Sequence, residues 1–302
     1  MAEHKVRFSI LVVSVSQQSP SHEIFDRRTR AIRRDRAADK FGAHDFLYRH
    51  MAEELLDRLA DVKRDLVDVL VVGCPDDYLP SRLRALGKRV VCTDSGHVNA
   101  AAVGGVQADE DALPFADNSF DLIVACGTLE SVNDLPGALL LMQRILRPDG
   151  LLLGAFAGAG SLPVLRAVLL GAEGDRAGQH IHPQVDVRAG GDLLSRAGFT
   201  MPVADGDTLT VRYGSIFGLL DDLRGMGASN VLLSRPPMLS RAVLSHAATL
   251  FLKAADADGK TAERFAIAYL SGWKPDPSQA APARRGSATV SLAEALKPKR
   301  RD

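Results

Sequence analysis

The stretch from Val67 to Ala125 restricts the fold more than any other part of the chain. It opens Val67-Asp-Val-Leu-Val-Val-Gly73-Cys-Pro-Asp-Asp77, an apolar run of strand length that ends in glycine. A short apolar run bounded by a turn signal reads as a strand buried on both faces, the kind that parallel sheets use. Twenty-one residues past Gly73, a second run, Arg89-Val-Val-Cys-Thr, closes on Asp94. Asp109-Glu-Asp-Ala-Leu-Pro-Phe115 and a third run, Ser119-Phe-Asp-Leu-Ile-Val-Ala125, follow. A glycine turn after the first strand lets a ligand approach the backbone, and an acid after the second can accept hydrogen bonds from ribose hydroxyls. The pattern reads as the nucleoside crevice of a doubly wound α/β sheet. Its glycine loop is incomplete: only Gly73 remains, Pro75 supplies no N–H, and Asp76 and Asp77 add negative charge.

The same alternation continues downstream. Asn133 and Asp134 ahead of Pro136 predict a helix start, with Asp134 capping and the helix running to Leu146. Arg147-Pro-Asp-Gly150 reads as a turn and Leu151–Phe156 as the next buried strand. Beyond Ser161 the pattern predicts helices over 162–170, 192–197 and 217–224. It predicts strands over 208–213 and over 262–271, the last continuing to Trp273. The architecture expected is a Rossmann-like, mostly parallel, doubly wound sheet. Upstream, Phe46, Leu47, Met51, Leu55, Leu56 and Leu59 form a helical stripe that should pack on it.

Ahead of that stripe, the helical segment Ile24–Ala38 carries six arginines, at 27, 28, 30, 33, 34 and 36. Guanidinium forks suit carboxylates and phosphates. One reading is a lid that gathers the acidic groups of a substrate or docks an acidic partner. The plainer one is a solvated face whose arginines pair with Asp26, Asp35 and Asp39. Lys+Arg and Asp+Glu both number 37, so no global field favours nucleic acid or an anionic membrane. Cys74, Cys92 and Cys126 form no C-x-x-C and read as buried free thiols of a reducing, cytoplasmic compartment of bacterial type. His180 and His182, with Asp186 nearby, are a poor metal set, and no metal is expected. No apolar run approaches the roughly twenty residues of a membrane span. Residues 1–21 read as a disordered leader and 274–302 as a flexible, basic tail with one short helix near Ser291–Leu296. The domain therefore covers 22–273, with 22–60 as the helical lid.

Four segments carry a resemblance to a known family: Ile24-Phe-Asp-Arg27 with the arginine run to Ala38, Asp109 with Ala112-Leu-Pro-Phe115, Asn133-Asp-Leu-Pro136, and Asp222-Leu-Arg-Gly-Met-Gly-Ala-Ser-Asn230. The chain resembles the class I methyltransferase-like family that joins malonyl-acyl-carrier-protein O-methyltransferases of biotin synthesis to a mitochondrial complex I assembly factor with arginine hydroxylase activity. It resembles the second branch more. The resemblance implies S-adenosyl-L-methionine as cofactor. It places Gly73 in the cofactor loop, Asp94 at the ribose, Asp109 and Glu110 at the adenine amino group, Leu113 and Phe115 around the base, and Cys126 where the substrate face opens. Arg33, Arg34 and Arg224 become candidates for substrate or partner contact. A complex I subunit or an acyl-carrier protein is the implied partner. Three readings stay open: a methyltransferase, for which no general base is evident; an assembly factor that hydroxylates arginine, for which no two-His-one-carboxylate set is legible; and a non-catalytic binding module with a degenerate glycine loop.

Overall fold

A computed structural model describes residues 23–174 and 178–279, so the leader and most of the tail expected from sequence lie outside the described residues. One seven-stranded sheet organises the chain, in the order β3-β2-β1-β4-β5-β7-β6. Strands β1 (Asp68–Val72), β2 (Arg89–Asp94), β3 (Val106–Gln107), β4 (Phe120–Cys126) and β5 (Leu146–Ala157) are parallel. The last two, β6 (Thr200–Tyr213) and β7 (Thr261–Trp273), form a long antiparallel ribbon whose β7 pairs antiparallel with β5 and whose β6 is the sheet edge. This is the mostly parallel, doubly wound sheet that the alternating pattern predicts.

Period-two alternation explains why both faces are buried. Val69, Val71, Leu122, Val124, Leu151 and Leu153 point into one core. Leu70, Val72, Ile123, Ala125 and Leu152 point into the other. The first core is covered by α2 (Phe46–Ala60), α3 (Tyr78–Ala85), α6 (Pro163–Glu173), α8 (Ile216–Gly225) and α9 (Arg241–Lys253). The second is covered by α5 (Leu135–Ile145) and α7 (Val187–Arg196). As expected, Asp134 caps α5 by accepting from the Gly137 N–H at 2.8 Å. The expected turn at 147–150 lies inside β5, as an irregular start in which Asp149 takes φ 59°.

The chain runs outward from β1 through β2 to β3, with α3 and α4 (His97–Ala102) as crossovers, then returns to the other side of β1 as β4. That reversal opens a crevice at the carboxyl ends of β1 and β4, where ligands of such sheets bind. Gly73 sits on its floor at φ 77°. A Cβ there would lie 2.5 Å from the Thr128 Cβ and 3.0 Å from the Cys126 carbonyl oxygen, so only glycine fits.

Candidate functional site: an arginine helix on the crevice acids

Helix α1 (Arg27–Ala37) lies across the crevice. Asp26 caps it, accepting from the Thr29 N–H at 2.9 Å. The chain enters it through three of the segments singled out in the sequence. The Asn133 side chain accepts from the Ile24 and Phe25 N–H groups at 2.9 and 2.8 Å and donates to the Phe25 carbonyl. Phe25 forms a bridge with Leu232, and Phe25, Val231 and Leu232 make a small separate core. Gly227 lies under Arg34, and Arg33 donates to the Asn230 carbonyl. The motifs that looked unrelated along the chain therefore share one task, seating α1.

Positions 27, 30 and 34 fall on one helical face, and each arginine meets crevice acids. Arg34 forks onto Asp94, Nε to Oδ1 at 2.9 Å and Nη2 to Oδ2 at 2.5 Å. Arg30 forks onto Glu110 at 2.7 and 2.8 Å, and also donates to the hydroxyls of Thr128 and Ser131. Arg27 takes Asp111 at 2.5 and 2.8 Å and reaches Asp109 at 3.3 Å. Arg30 and Arg34 are 4% and 8% exposed. A solvated face paired to local aspartates is thus the wrong picture for these three. Asp26 and Asp35 serve as helix caps instead, Asp35 by accepting from the Val98 N–H at 2.8 Å. Burial alone would raise the Asp94 carboxyl, but Arg34 and the Gly96 N–H hold it below the usual carboxylate range. Burial and the adjacent Glu110 raise Asp109 despite Arg30 and Arg27.

Beside α1 is a cavity of about 320 Å³. Its wall is mostly apolar, with Leu165, Leu169, Leu223 and Phe265 among the lining residues, and Gly127 and Pro75 mark the crevice end. Arg30, Arg34, Arg224, His182 and Glu130 bring charge or polarity to it. Arg33 is not in this wall, being turned to Asn230. Among the described residues, Glu130 Oε2 and the Tyr48 hydroxyl are buried without a hydrogen-bond partner. Burial raises the Glu130 carboxyl above the usual range, more than Arg30 and Arg34 lower it. The sequence reading missed Glu130. Its one signal was a charged residue two places after a buried strand's closing Gly-Thr pair.

The remaining candidates are spread. Leu113 and Phe115 are core residues, Phe115 edge-on to Phe120 at 5.1 Å. Cys126 is buried, its Sγ 4.0 Å from the Tyr48 carbonyl, and all three cysteines are free and buried. His180 pairs with Glu173 at 2.9 Å, while His182 accepts from the Val231 N–H at 2.9 Å and is lowered by burial to a pKa of about 4. Asp186 caps α7. Among the described residues no helix is long and apolar enough to cross a membrane.

Glu130→Gln should stabilise the protein at pH 7. A carboxyl whose folded pKa is raised loses stability as pH climbs through the window above its unfolded value, about 4.3. The amide removes that loss. Melting temperature should rise by roughly 2–4 °C at pH 7, on the order of 1 kcal/mol, with no gain at pH 4. Thermal melts at both pH values check this; an equal shift at both would contradict it.

Residues 70–154 match the family described as a methyltransferase domain. The arginine-hydroxylase NDUFAF5 of Danio rerio is 35% identical over 288 residues, covering 91% of this chain and 90% of that one. The chain belongs to the NDUFAF5 family. A malonyl-[acyl-carrier protein] O-methyltransferase of Gallionella capsiferriformans, 28% identical over 80% of this chain and 89% of its own, is a more distant relative. The solved YcgJ protein of Bacillus subtilis shares the fold, with a TM-score of 0.54 at 16% identity over 75% of this chain and 99% of its own. The order of these likenesses agrees with the arginine run and the Asn-Asp-Leu-Pro segment, which point to the NDUFAF5 branch. The seating of α1 shows what those family segments do in this chain.

Proposed function

We propose that the chain binds an adenosyl ligand of the S-adenosyl-L-methionine class at the carboxyl ends of β1, β2 and β4, and acts on a group held in the adjoining cavity. The observation that carries this reading is the polar set around Asp94. Ser95 Oγ and Asn99 Oδ1 are buried without a partner among the described residues, and Asn99 Nδ2 lies 3.5 Å from Asp94 Oδ1. Unpaired buried polar atoms beside a strand-end acid at a switch point fit a ribose. Glu110 and Asp109 are of the right type for a base amino group. The residues fit the nucleoside end, and α1 stands across it in the conformation described.

When bound, such a ligand supplies an electrophilic methyl for in-line displacement. The chain contributes orientation and a dry cavity. Glu130, whose Oε2 is buried at the cavity without a partner, favours a cationic or hydrogen-bond-donating group as the acceptor. A second reading, hydroxylation of an arginine, draws support from the 35% identical relative and would use the same Glu130 seat; it would further require dioxygen as oxidant and a two-electron reductant, the second oxygen atom leaving as water. A protein partner, a complex I subunit by the resemblance, would present that arginine; an acyl-carrier protein is the alternative partner. Product mass separates an added methyl from an added oxygen.

Saturation-transfer NMR with S-adenosylhomocysteine at millimolar concentration tests the ligand. Signal from the adenine and ribose protons is expected with the wild type and is lost with Asp94→Asn. No transfer to wild type would sink the adenosyl reading.

A further inference from the structure

We infer that the arginine face of α1 is a resident competitor for the nucleoside end of the crevice, so that an adenosyl ligand and the Arg30–Arg34 pair take the same carboxylates in turn. The inference rests on the adenosyl reading above and concerns its regulation. A ribose diol needs free carboxylate oxygens at Asp94. Oδ1 already accepts from Arg34 Nε and, at 2.7 Å, from the Gly96 N–H, while Oδ2 accepts from Arg34 Nη2. At Glu110, Oε1 accepts from Arg30 and from the Thr128 hydroxyl, and Oε2 from Arg30. Bidentate forks of this kind occupy the in-plane lone pairs that a ligand would use. Space is contested too. A Cβ on Gly96 would lie 2.7 Å from Asp35 Oδ1 and 3.1 Å from the Arg34 Cβ, so α1 rests directly on the turn that follows Asp94.

The way α1 is held makes it exchangeable. Its buried residues are Arg30, Arg34 and a single alanine, Ala37. Residues 27–37 therefore bring almost no apolar surface whose exposure would oppose release, and the small Phe25–Val231–Leu232 core lies ahead of them. Released arginines are well solvated, and the freed acids meet hydroxyl and amino donors of the ligand instead. Nothing covalent changes: one set of hydrogen bonds replaces another. Apparent ligand affinity is then the intrinsic affinity reduced by the fraction of molecules with α1 released. A contact that strengthens α1 docking weakens ligand binding, and the reverse.

Asn133 supplies the discriminating variant, because it grips the backbone at 24–25 and touches neither acid. The full-length wild type and Asn133→Ala are titrated calorimetrically with S-adenosylhomocysteine, and amide exchange over residues 27–37 is followed with and without ligand. The expected result is binding roughly tenfold tighter in Asn133→Ala, the equivalent of about 1.4 kcal/mol, and faster exchange over 27–37 in the liganded wild type. A merely structural role for Asn133 gives equal or weaker binding in the variant, and that overturns the inference. Ligand binding that leaves 27–37 protected, or protects it further, overturns it while leaving the adenosyl reading intact. Absence of binding to both proteins overturns both. Should Asn133→Ala fail to fold, the wild-type exchange experiment decides alone.

Discussion

Arg34→Ala is expected to cost about 3–5 kcal/mol, because it leaves Asp94 as a buried carboxylate without its counter-ion. For a domain of this size the melting temperature should fall by roughly 10 °C or more. Removing the acid as well, in Arg34→Ala with Asp94→Ala, should recover most of that loss, and a double-mutant cycle of thermal or denaturant melts measures the coupling. Additive single effects would show that the fork at 2.5 and 2.9 Å is not an energetic unit. The pH dependence follows from the lowered Asp94 carboxyl. Its stabilisation is fully present above the unfolded value, about 3.9, and is lost as pH falls from there through the folded value. The gap between wild type and Arg34→Ala should therefore be large at pH 7 and narrow as pH falls, starting above about pH 4, because without Arg34 burial raises the variant's Asp94 carboxyl.

Gly73→Ala should cost about 3 kcal/mol or more, from two sources acting at one atom. At φ 77° an L side chain is strained, by roughly 1–2 kcal/mol. The new methyl would also strike the Thr128 Cβ at 2.5 Å and its Cγ2 at 2.8 Å, and overpacking of this kind costs roughly 1–3 kcal/mol. Gly87 separates the two. It has nearly the same φ, 78°, and a methyl added there would meet nothing within 4 Å. Gly87→Ala should therefore carry the strain alone, and denaturant melts of the two variants give the contact as their difference. Equal losses would mean that the ends of β1 and β4 part easily, and that the crevice floor is soft.

The crevice was legible because its signals are local. Val67–Gly73 and Arg89–Asp94 declare buried strands by composition, and parallel strands joined by helices leave few arrangements. The arginine helix was legible as a helix and illegible as a contact. Its partners stand 60 to 84 residues away, at Asp94, Glu110 and Asp111, while the sequence offers nearer acids that turn out to cap helix ends. The fork geometry argued for guanidinium–carboxylate pairing, but nothing along the chain says that the carboxylates are the protein's own. Helix α9 went unread because its buried anchor is only Ala247 and Phe251. Glu130 needed the fold, since its meaning comes from the cavity around it.

The docking of α1 also sets the order in which the protein can be completed. Arg30 finds Glu110 across 80 residues, but Arg33 reaches Asn230 across 197, and the bridge between Phe25 and Leu232 spans a similar length. At ribosomal speeds of about 5–20 residues per second, roughly 10–40 s pass between synthesis of the helix and synthesis of its far support. During that interval the nascent sheet holds its acids with a tether made on one side only. The first described helix to leave the ribosome is thus among the last to be fastened, and a chaperone or an early-bound ligand meets the crevice before its lock is finished.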